Sequence, residues 1–359
     1  MRKWIAVLLC FGLAVAFGCD TVVSNGTSGE KMPSASALET EEPALGSFVV
    51  HFIDVGQADA ALLLCDGETM LIDGGNMEDA DLLYTYLSEQ GVERLDYVVC
   101  THAHEDHAGG LPGALSYATA DTVLCSVREA DSYPFEQFLD AVERQGLSVH
   151  VPHHGDSFAF GGATCTVLAP ISSTDNVNNT SLVLHFQYGE TSFLFMGDAE
   201  YEVEQEILNR GYSVRATVLK VGHHGSSSSS SYRFLNEVLP EYAVLSCGRN
   251  NDYGHPHDEV MSRLRDARTT IYRTDEQGHI VCSSDGRTVR FETERSIAPQ
   301  TPIPLDYLES FVLNTNSRRF HSPDCDGIPD ISERNRENYY GTRQALLDEG
   351  YEPCGRCDP

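Results

Sequence analysis

From Ser47 onward the chain is written in short apolar runs separated by turn residues. FVVHFIDVG, ADAALLLC and TMLID each have strand length and composition. ADLLYTYLSEQG places its apolar residues at helical spacing and stops at Gly91. LDYVVCTH reads as a strand running into a histidine-rich loop. FEQFLDAVERQG is helical, and SVHVP is extended. Strands GATCTVLAP, SLVLHFQYG and TSFLFMGD follow, then helix EVEQEILNRG, strand ATVLKVG and six consecutive serines (Ser226–Ser231). Helix YRFLNEVLP, strand YAVLSCG, helix DEVMSRLRDA and strands TIYRTD, GHIVCSSDG and TVRFETE complete the run. Two β-rich halves that each carry helices predict an α+β sandwich of mixed sheets with helices outside.

The two ends depart from this pattern. Residues 1–19 read as an export signal, with basic Arg2 and Lys3 followed by an apolar run, Ile5 to Phe17, too short to span a bilayer. Ala16-Phe17-Gly18-Cys19 resembles a bacterial lipobox. It predicts lipidation of Cys19 and an exported protein anchored to the membrane at the cell surface or in the periplasm. Residues 20–46 are rich in Ser, Thr, Glu, Gly and Pro and read as a flexible tether. Residues 47–294 form the main domain. Residues 295–306, with three prolines, read as a linker to a terminal module, 307–359.

Charge narrows the function. Lys and Arg number 24 against 54 Asp and Glu, a formal net charge of −30. Such a surface repels phosphate backbones and counts against tight non-specific nucleic-acid binding. It does not exclude a nuclease, because bound cations invert the local field. Six of the eleven cysteines (Cys65, Cys100, Cys125, Cys165, Cys247, Cys282) lie in or end apolar runs and read as core thiols.

The chemistry concentrates after LDYVVC, at Thr101-His102-Ala103-His104-Glu105-Asp106-His107. On an extended segment His102 and His104 share a face. The next turn brings Asp106 and His107 to a second point nearby. Imidazole and carboxylate donors in this pattern suit two adjacent divalent metal positions.

These residues match the HxHxDH signature of the metallo-β-lactamase superfamily. Leu71-Ile72-Asp73-Gly74-Gly75, Met196-Gly197-Asp198 and Lys220-Val221-Gly222-His223-His224-Gly225-Ser226 match its further motifs, in order, over roughly residues 48–292. The resemblance implies an αββα sandwich with the site at one edge of both sheets. It implies Asp198 as a bridge between two metals and Asp73 as support for the ligands. It also implies one of His223 and His224 as a ligand, with His223 favoured. Asp54-Val55-Gly56-Gln57-Ala58-Asp59, Asn178-Asn179-Thr180-Ser181-Leu182, HHGS and Gly254-His255-Pro256 resemble the soluble hydrolase domain of the DNA-importing competence proteins (the ComEC/Rec2 family). One departure stands out. Many members place a metal histidine just after the strand that TVLAP resembles, where this chain has Ala169 and Pro170; His153 and His154 do not align with it. The first position then keeps His102, His104 and Asp198, a set that accepts manganese as well as zinc.

Two bound metals would activate a hydroxide for attack on phosphorus or a carbonyl. Asp73, Asp106 and His255 are the candidate catalytic groups. Asn179, Ser226 and His255 are the candidate substrate contacts, with Lys220 and Arg249 as local cations for substrate capture.

In the terminal module His321-x₃-Cys325 and Cys354-x₂-Cys357 have the spacing of a closed structural zinc site. A disulfide is the alternative. The segment resembles the small metal-binding module of the Ada DNA-repair protein, and Arg318, Arg319, Arg334, Arg336, Arg343 and Arg356 offer contacts to nucleic acid. The expected function is an exported phosphodiesterase or nuclease acting on DNA. The alternatives are a metallohydrolase of another ester or amide, or a non-catalytic DNA-binding lipoprotein.

Overall fold

A computed structural model describes residues 47–302, 308–357 and 359. The export signal, Cys19 and the tether lie outside the described residues. The described residues form one compact unit.

The chain first lays down β1 (Phe48–Phe52), β2 (Ala61–Cys65), β3 (Glu68–Ile72), α1 (Ala80–Gln90), β4 (Arg94–Cys100), α2 (Glu105–Ala108), α3 (Leu111–Tyr117), β5 (Thr119–Cys125), α4 (Tyr133–Arg144) and β6 (Val149–His150). It crosses to a second sheet through β7 (Ser157–Phe160), β8 (Ala163–Ala169), β9 (Val183–Tyr188), β10 (Thr191–Phe195), α5 (Tyr201–Asn209), β11 (Val218–Lys220), α6 (Tyr232–Val238), β12 (Tyr242–Leu245), α7 (Asp258–Asp266), β13 (Thr270–Arg273) and α8 (Thr274–Gln277). It then returns with β14 (Ile280–Ser284) and β15 (Val289–Thr293) to the free edge of β1. The first sheet has the order β15-β14-β1-β2-β3-β4-β5-β6, the second β13-β12-β11-β10-β9-β8-β7.

The apolar runs explain the layering. In β2, Leu62 faces the helices while Ala61, Leu63 and Cys65 face the other sheet. Both faces are covered, so the strand reads as continuously apolar rather than alternating. Phe48, Phe52, Phe160, Phe186, Phe193 and Phe195 fill the space between sheets; Phe48 alone has four aromatic neighbours, with Phe193 at 4.5 Å between ring centres. Leu83, Leu87, Phe135 and Phe138 seal one outer face, and Val203, Ile207, Phe234 and Leu264 the other. The result is the expected αββα sandwich. Gly91 ends α1 in the left-handed region, at φ 69°, where its amide reaches the last helical carbonyls. The apolar pattern alone does not mark α3, whose sequence LPGALSY carries Pro112 and Gly113. Pro112 sits in the first helical turn, where it is tolerated.

Residues 295–300, expected as part of a linker, are tied to the domain: Gln300 exchanges two backbone hydrogen bonds with Ile271 of β13. The terminal module holds β16 (Glu309–Asn314), β17 (Arg319–His321), β18 (Arg336–Gly341), α9 (Arg343–Asp348) and β19 (Glu352–Pro353) in a sheet of order β18-β16-β17-β19. It docks on α6 and α7. Tyr339 and Tyr232 both donate to Asp266, and Glu349 pairs with Arg263 at 3.3 Å. No helix among the described residues is long and apolar enough to cross a membrane.

Candidate metal centre

The site lies where strands end. β3 delivers Asp73, β4 delivers His102 and His104, and the first turn of α2 delivers Asp106 and His107. On the other sheet β10 leads to Asp198 and β11 to His223 and His224. These parallel strands (β3 with β4; β10 with β11 and β12) open their C-terminal ends to one edge of the sandwich.

Asp198 is the centre. Its carboxylate lies 3.3 Å from His107 Nε2, 3.6 Å from His224 Nε2, 3.6 Å from His223 Nε2 and 3.9 Å from His102 Nε2. Asp106 lies 3.3 Å from His224 Nε2 and 3.9 Å from His107 Nε2. His102 Nε2 and His104 Nδ1 face each other at 3.0 Å. Donor atoms of Asp59, His107, Asp198 and His224 all fall within 4.8 Å of one another.

The opposite ring nitrogens are already committed. His107 Nδ1 donates to Asp73 at 2.8 Å, and His224 Nδ1 donates to the Ser246 carbonyl at 3.0 Å. That leaves His107 Nε2, His224 Nε2 and Asp198 Oδ1 buried without a hydrogen-bonding partner. Unpartnered buried polar atoms are costly. Three of them converging on one point are the mark of a cation site, and the donor set fits divalent metals.

The electrostatics agree. Burial alone would discharge His107 and His224. The surrounding carboxylates, Asp198 foremost, outweigh it and push both up, His224 to about 10. Asp106 and Asp198 are depressed: burial opposes their ionisation, and the imidazoles overcome it. His102 lacks that degree of compensation, so burial and the His107 charge push it down. The centre is short of positive charge, which divalent cations supply.

Backbone strain is concentrated here. His223 and His224 are consecutive left-handed residues, at φ 49° and 54°. Non-glycine residues held there typically cost about 1–3 kcal/mol each and gather at functional sites. The two side chains separate as a result. His224 is buried and enters the compact donor group, so the preference for His223 as the ligand of the Asp106–His107 position is corrected. His223 is partly exposed, its Nδ1 held by Ser228 (3.1 Å) and close to Glu200 (3.4 Å), its Nε2 turned toward Asp198.

Other expectations are corrected as well. Asp73 keeps the supporting role the resemblance implies, spending its oxygens on the Thr101 amide, the Thr101 hydroxyl and His107, but it is buried off the cleft, and its place among the catalytic groups is corrected. Asn179 is occupied: its Oδ1 accepts the Glu200 amide, and Asn178 lines the cleft instead. Ser226 bonds Ser228 and lies off the cleft. Lys220 is 4% exposed and paired with Asp59, so it cannot capture substrate. Arg249 bonds the Asp275 carbonyl, away from the cleft. His153 and His154, which do not align with the missing metal histidine, stay off the cleft as expected: His153 is exposed, and His154 bonds the Tyr212 hydroxyl.

The cleft over the centre has a volume of about 810 Å³ and is bordered by His104, Asp106, Asp198, His223, His224 and His255. His255 is held down to about 4 by burial and by the neighbouring imidazoles of His224, His257 and His223. Asp59, Gln57 and Glu200 carry no site role in the sequence analysis, although Asp59 and Gln57 stand inside the quoted DVGQAD motif.

In the module, donor atoms of His321, Cys325, Cys354 and Cys357 come within 4.8 Å of one another, and the three cysteines are free thiols. The Gly327 and Arg356 amides donate to the Cys325 and Cys354 sulfurs. The set fits a metal with four protein ligands. The six arginines are mostly engaged: Arg319 pairs with Glu352, Arg356 with Asp330, Arg336 with the Ile331 carbonyl, and Arg318 and Arg343 with other backbone carbonyls.

A sequence profile of the metallo-beta-lactamase superfamily matches residues 53–249. ComE operon protein 3 of Bacillus subtilis is 30% identical over 250 residues, 64% of this chain and 32% of that protein. Recombination protein 2 of Haemophilus influenzae is 30% identical over 238 residues (64% and 28%), and competence protein ComA of Neisseria gonorrhoeae 30% over 240 residues (63% and 30%). The matched region is thus about a third of each relative's length. Among solved structures, the metallo-beta-lactamase fold protein YhfI from Bacillus subtilis is 14% identical with a TM-score of 0.45, covering 68% of this chain and 100% of that one.

Proposed function

The chain belongs to the metallo-beta-lactamase superfamily, and from that premise we propose that this metal-dependent hydrolase is a phosphodiesterase acting on DNA. The observation that carries the hydrolytic reading is the convergence of His107 Nε2, His224 Nε2 and Asp198 Oδ1, buried and unpartnered, beside an open cleft that Asp198 and His224 line. His102, His104, Asp106, His107, Asp198 and His224 would hold two divalent ions, zinc or manganese, with His223 beside them. Such ions polarise water and offset charge on a phosphoryl group. The chain's own residues set the geometry: Asp73 and the Ser246 carbonyl aim two imidazoles inward, and His255 faces the substrate.

DNA as substrate rests on the likeness to proteins named for competence and recombination. With a net charge of −30, capture of a polyanion falls to the metal centre and its imidazoles. Export, lipid anchoring through Cys19 and zinc in the terminal module belong to the same proposal. The test is hydrolysis of single- and double-stranded DNA with added Mn²⁺ or Zn²⁺, beside a His104→Ala/Asp106→Ala control and a panel of carboxylic esters and amides. Metal-dependent cutting of DNA that the control lacks supports the reading. Turnover of the esters or amides alone by the metal-loaded protein overturns the choice of substrate.

A further inference from the structure

The hydrogen bonds around His255 define its proton. The Gly248 amide donates to Gln57 Oε1 at 3.0 Å. A backbone N–H can only donate, so the oxygen end of the Gln57 amide must face Gly248. The nitrogen end then faces His255 Nδ1, at 3.1 Å. An amide NH₂ can only donate as well. His255 Nδ1 must therefore accept, which places the ring proton on Nε2.

The arrangement is built tightly. Gly248 is buried, and a Cβ there would lie 2.7 Å from the backbone nitrogen of Gln57; only glycine lets the two segments meet. Asn251 fixes the other side. Its Oδ1 accepts the His255 amide at 2.9 Å, while its Nδ2 donates to the carbonyls of His255 (2.5 Å) and Gly248 (2.9 Å). One loop thus sets both the imidazole's backbone and the amide that anchors Gln57. The ring is stacked with Tyr253 on the cleft rim, 5.6 Å between centres, and nearly parallel to His224. Its Nε2 has no partner among the described residues.

We propose that Gln57 holds His255 as a neutral Nε2–H imidazole, so that His255 acts as a fixed hydrogen-bond donor to an anionic substrate oxygen rather than as a proton shuttle. A proton added at Nδ1 would face the Gln57 NH₂, donor against donor. Gln57 is on this view a positioning residue. The role in catalysis rests on the phosphodiesterase reading; the tautomer does not.

The first arm of the test reads the tautomer. In the ¹⁵N spectrum of the metal-loaded full chain, with His255 assigned by its loss in His255→Gln, Nδ1 should carry the shift of a bare nitrogen and Nε2 that of a protonated one. In Gln57→Glu the carboxylate would accept from Nδ1, and the proton should appear there. A wild-type ring protonated at Nδ1, or an unchanged spectrum in Gln57→Glu, overturns the proposal. The second arm compares two phosphodiesters that differ only in leaving group, a nitrophenol and an alkyl alcohol. Loss of one preorganised donor typically costs about 100-fold or more, and His255→Gln should slow both substrates by a similar factor, lowering kcat more than it raises KM. Selective loss on the alcohol marks a proton donor and overturns the proposal. If the wild-type protein cuts neither diester, the proposed function fails, and the ring spectrum alone decides the role of Gln57.

Discussion

Lys220 Nζ lies 2.8 Å from Asp59 Oδ1 and 2.9 Å from Asp59 Oδ2, with both side chains almost wholly buried. The ammonium also donates to the Val221 carbonyl. This pair sits directly behind His224, whose Nδ1 is 3.6 Å from Asp59. Removing one partner of a buried pair leaves the other charge uncompensated, typically at about 3–5 kcal/mol, whereas replacing both with apolar residues is often near neutral. Lys220→Ala should therefore lower stability in urea titrations by about that amount, and Lys220→Met/Asp59→Leu should recover most of it. Equal losses in the single and double variants would show that the ion pair is not what Lys220 contributes.

Asp73 determines which nitrogen His107 offers. With a carboxylate, His107 Nδ1 donates and Nε2 is left bare for a metal. Asp73→Asn keeps the size, but its oxygen is drawn to the Thr101 amide and its NH₂ turns to Nδ1. The ring proton would then move to Nε2. Orienting partners of this kind are worth about 10–100-fold in metal affinity. Competition against a chromophoric chelator should show a loss in that range for Asp73→Asn, and no loss would remove the assigned role.

Much of this was legible beforehand, and the reasons differ by residue. The HxHxDH run, Asp198 and the two-histidine loop are local signals, and each lies at a strand end that the apolar pattern marks. The choice between His223 and His224 was not legible. It depends on two consecutive left-handed residues, and nothing in the order of residues tells which imidazole turns inward. Lys220 read as a free cation because its partner stands 161 residues earlier in the chain. Asn178 and Asn179 are adjacent, and only the backbone turn decides that the first lines the cleft while the second binds Glu200. Residues 295–306 read as linker from three prolines; the pairing of Gln300 with β13 is a long-range event that composition does not record.

His51 and His185 make the fold sensitive to mild acid. Burial, with His279 nearby, lowers the pKa of His51, whose ring bonds the Tyr86 hydroxyl at 2.9 Å. Burial also lowers that of His185, which donates to the Arg215 carbonyl. The folded state thus binds fewer protons than the unfolded chain once the pH falls below the ordinary imidazole value of about 6.5. Stability is retained above that pH and declines as pH drops through it. Urea midpoints should fall between pH 7.5 and 5.5, and His185→Gln should show a shallower decline. A slope unchanged by His185→Gln would place the sensitivity elsewhere.

Arg263 ties the terminal module to the serine loop beside the metal centre. Its guanidinium pairs with Glu349 of the module and donates to the carbonyls of Ser227 and Ser229. The same loop carries Ser228, which bonds His223, and it begins at the strained pair His223–His224. Buried Glu204 holds its far end through the Ser230 and Ser231 amides. Arg263→Ala removes this bridge, and amide exchange at Ser226–Ser231 should quicken, by about tenfold for each 1.4 kcal/mol of local stability lost. Glu349→Gln should quicken it less, because the two carbonyl contacts of Arg263 persist. Truncation after residue 302 should resemble Glu349→Gln at this loop if the module acts only through Arg263. A larger effect of truncation would mean that the Tyr232–Asp266–Tyr339 contact also steadies the loop, through the start of α6.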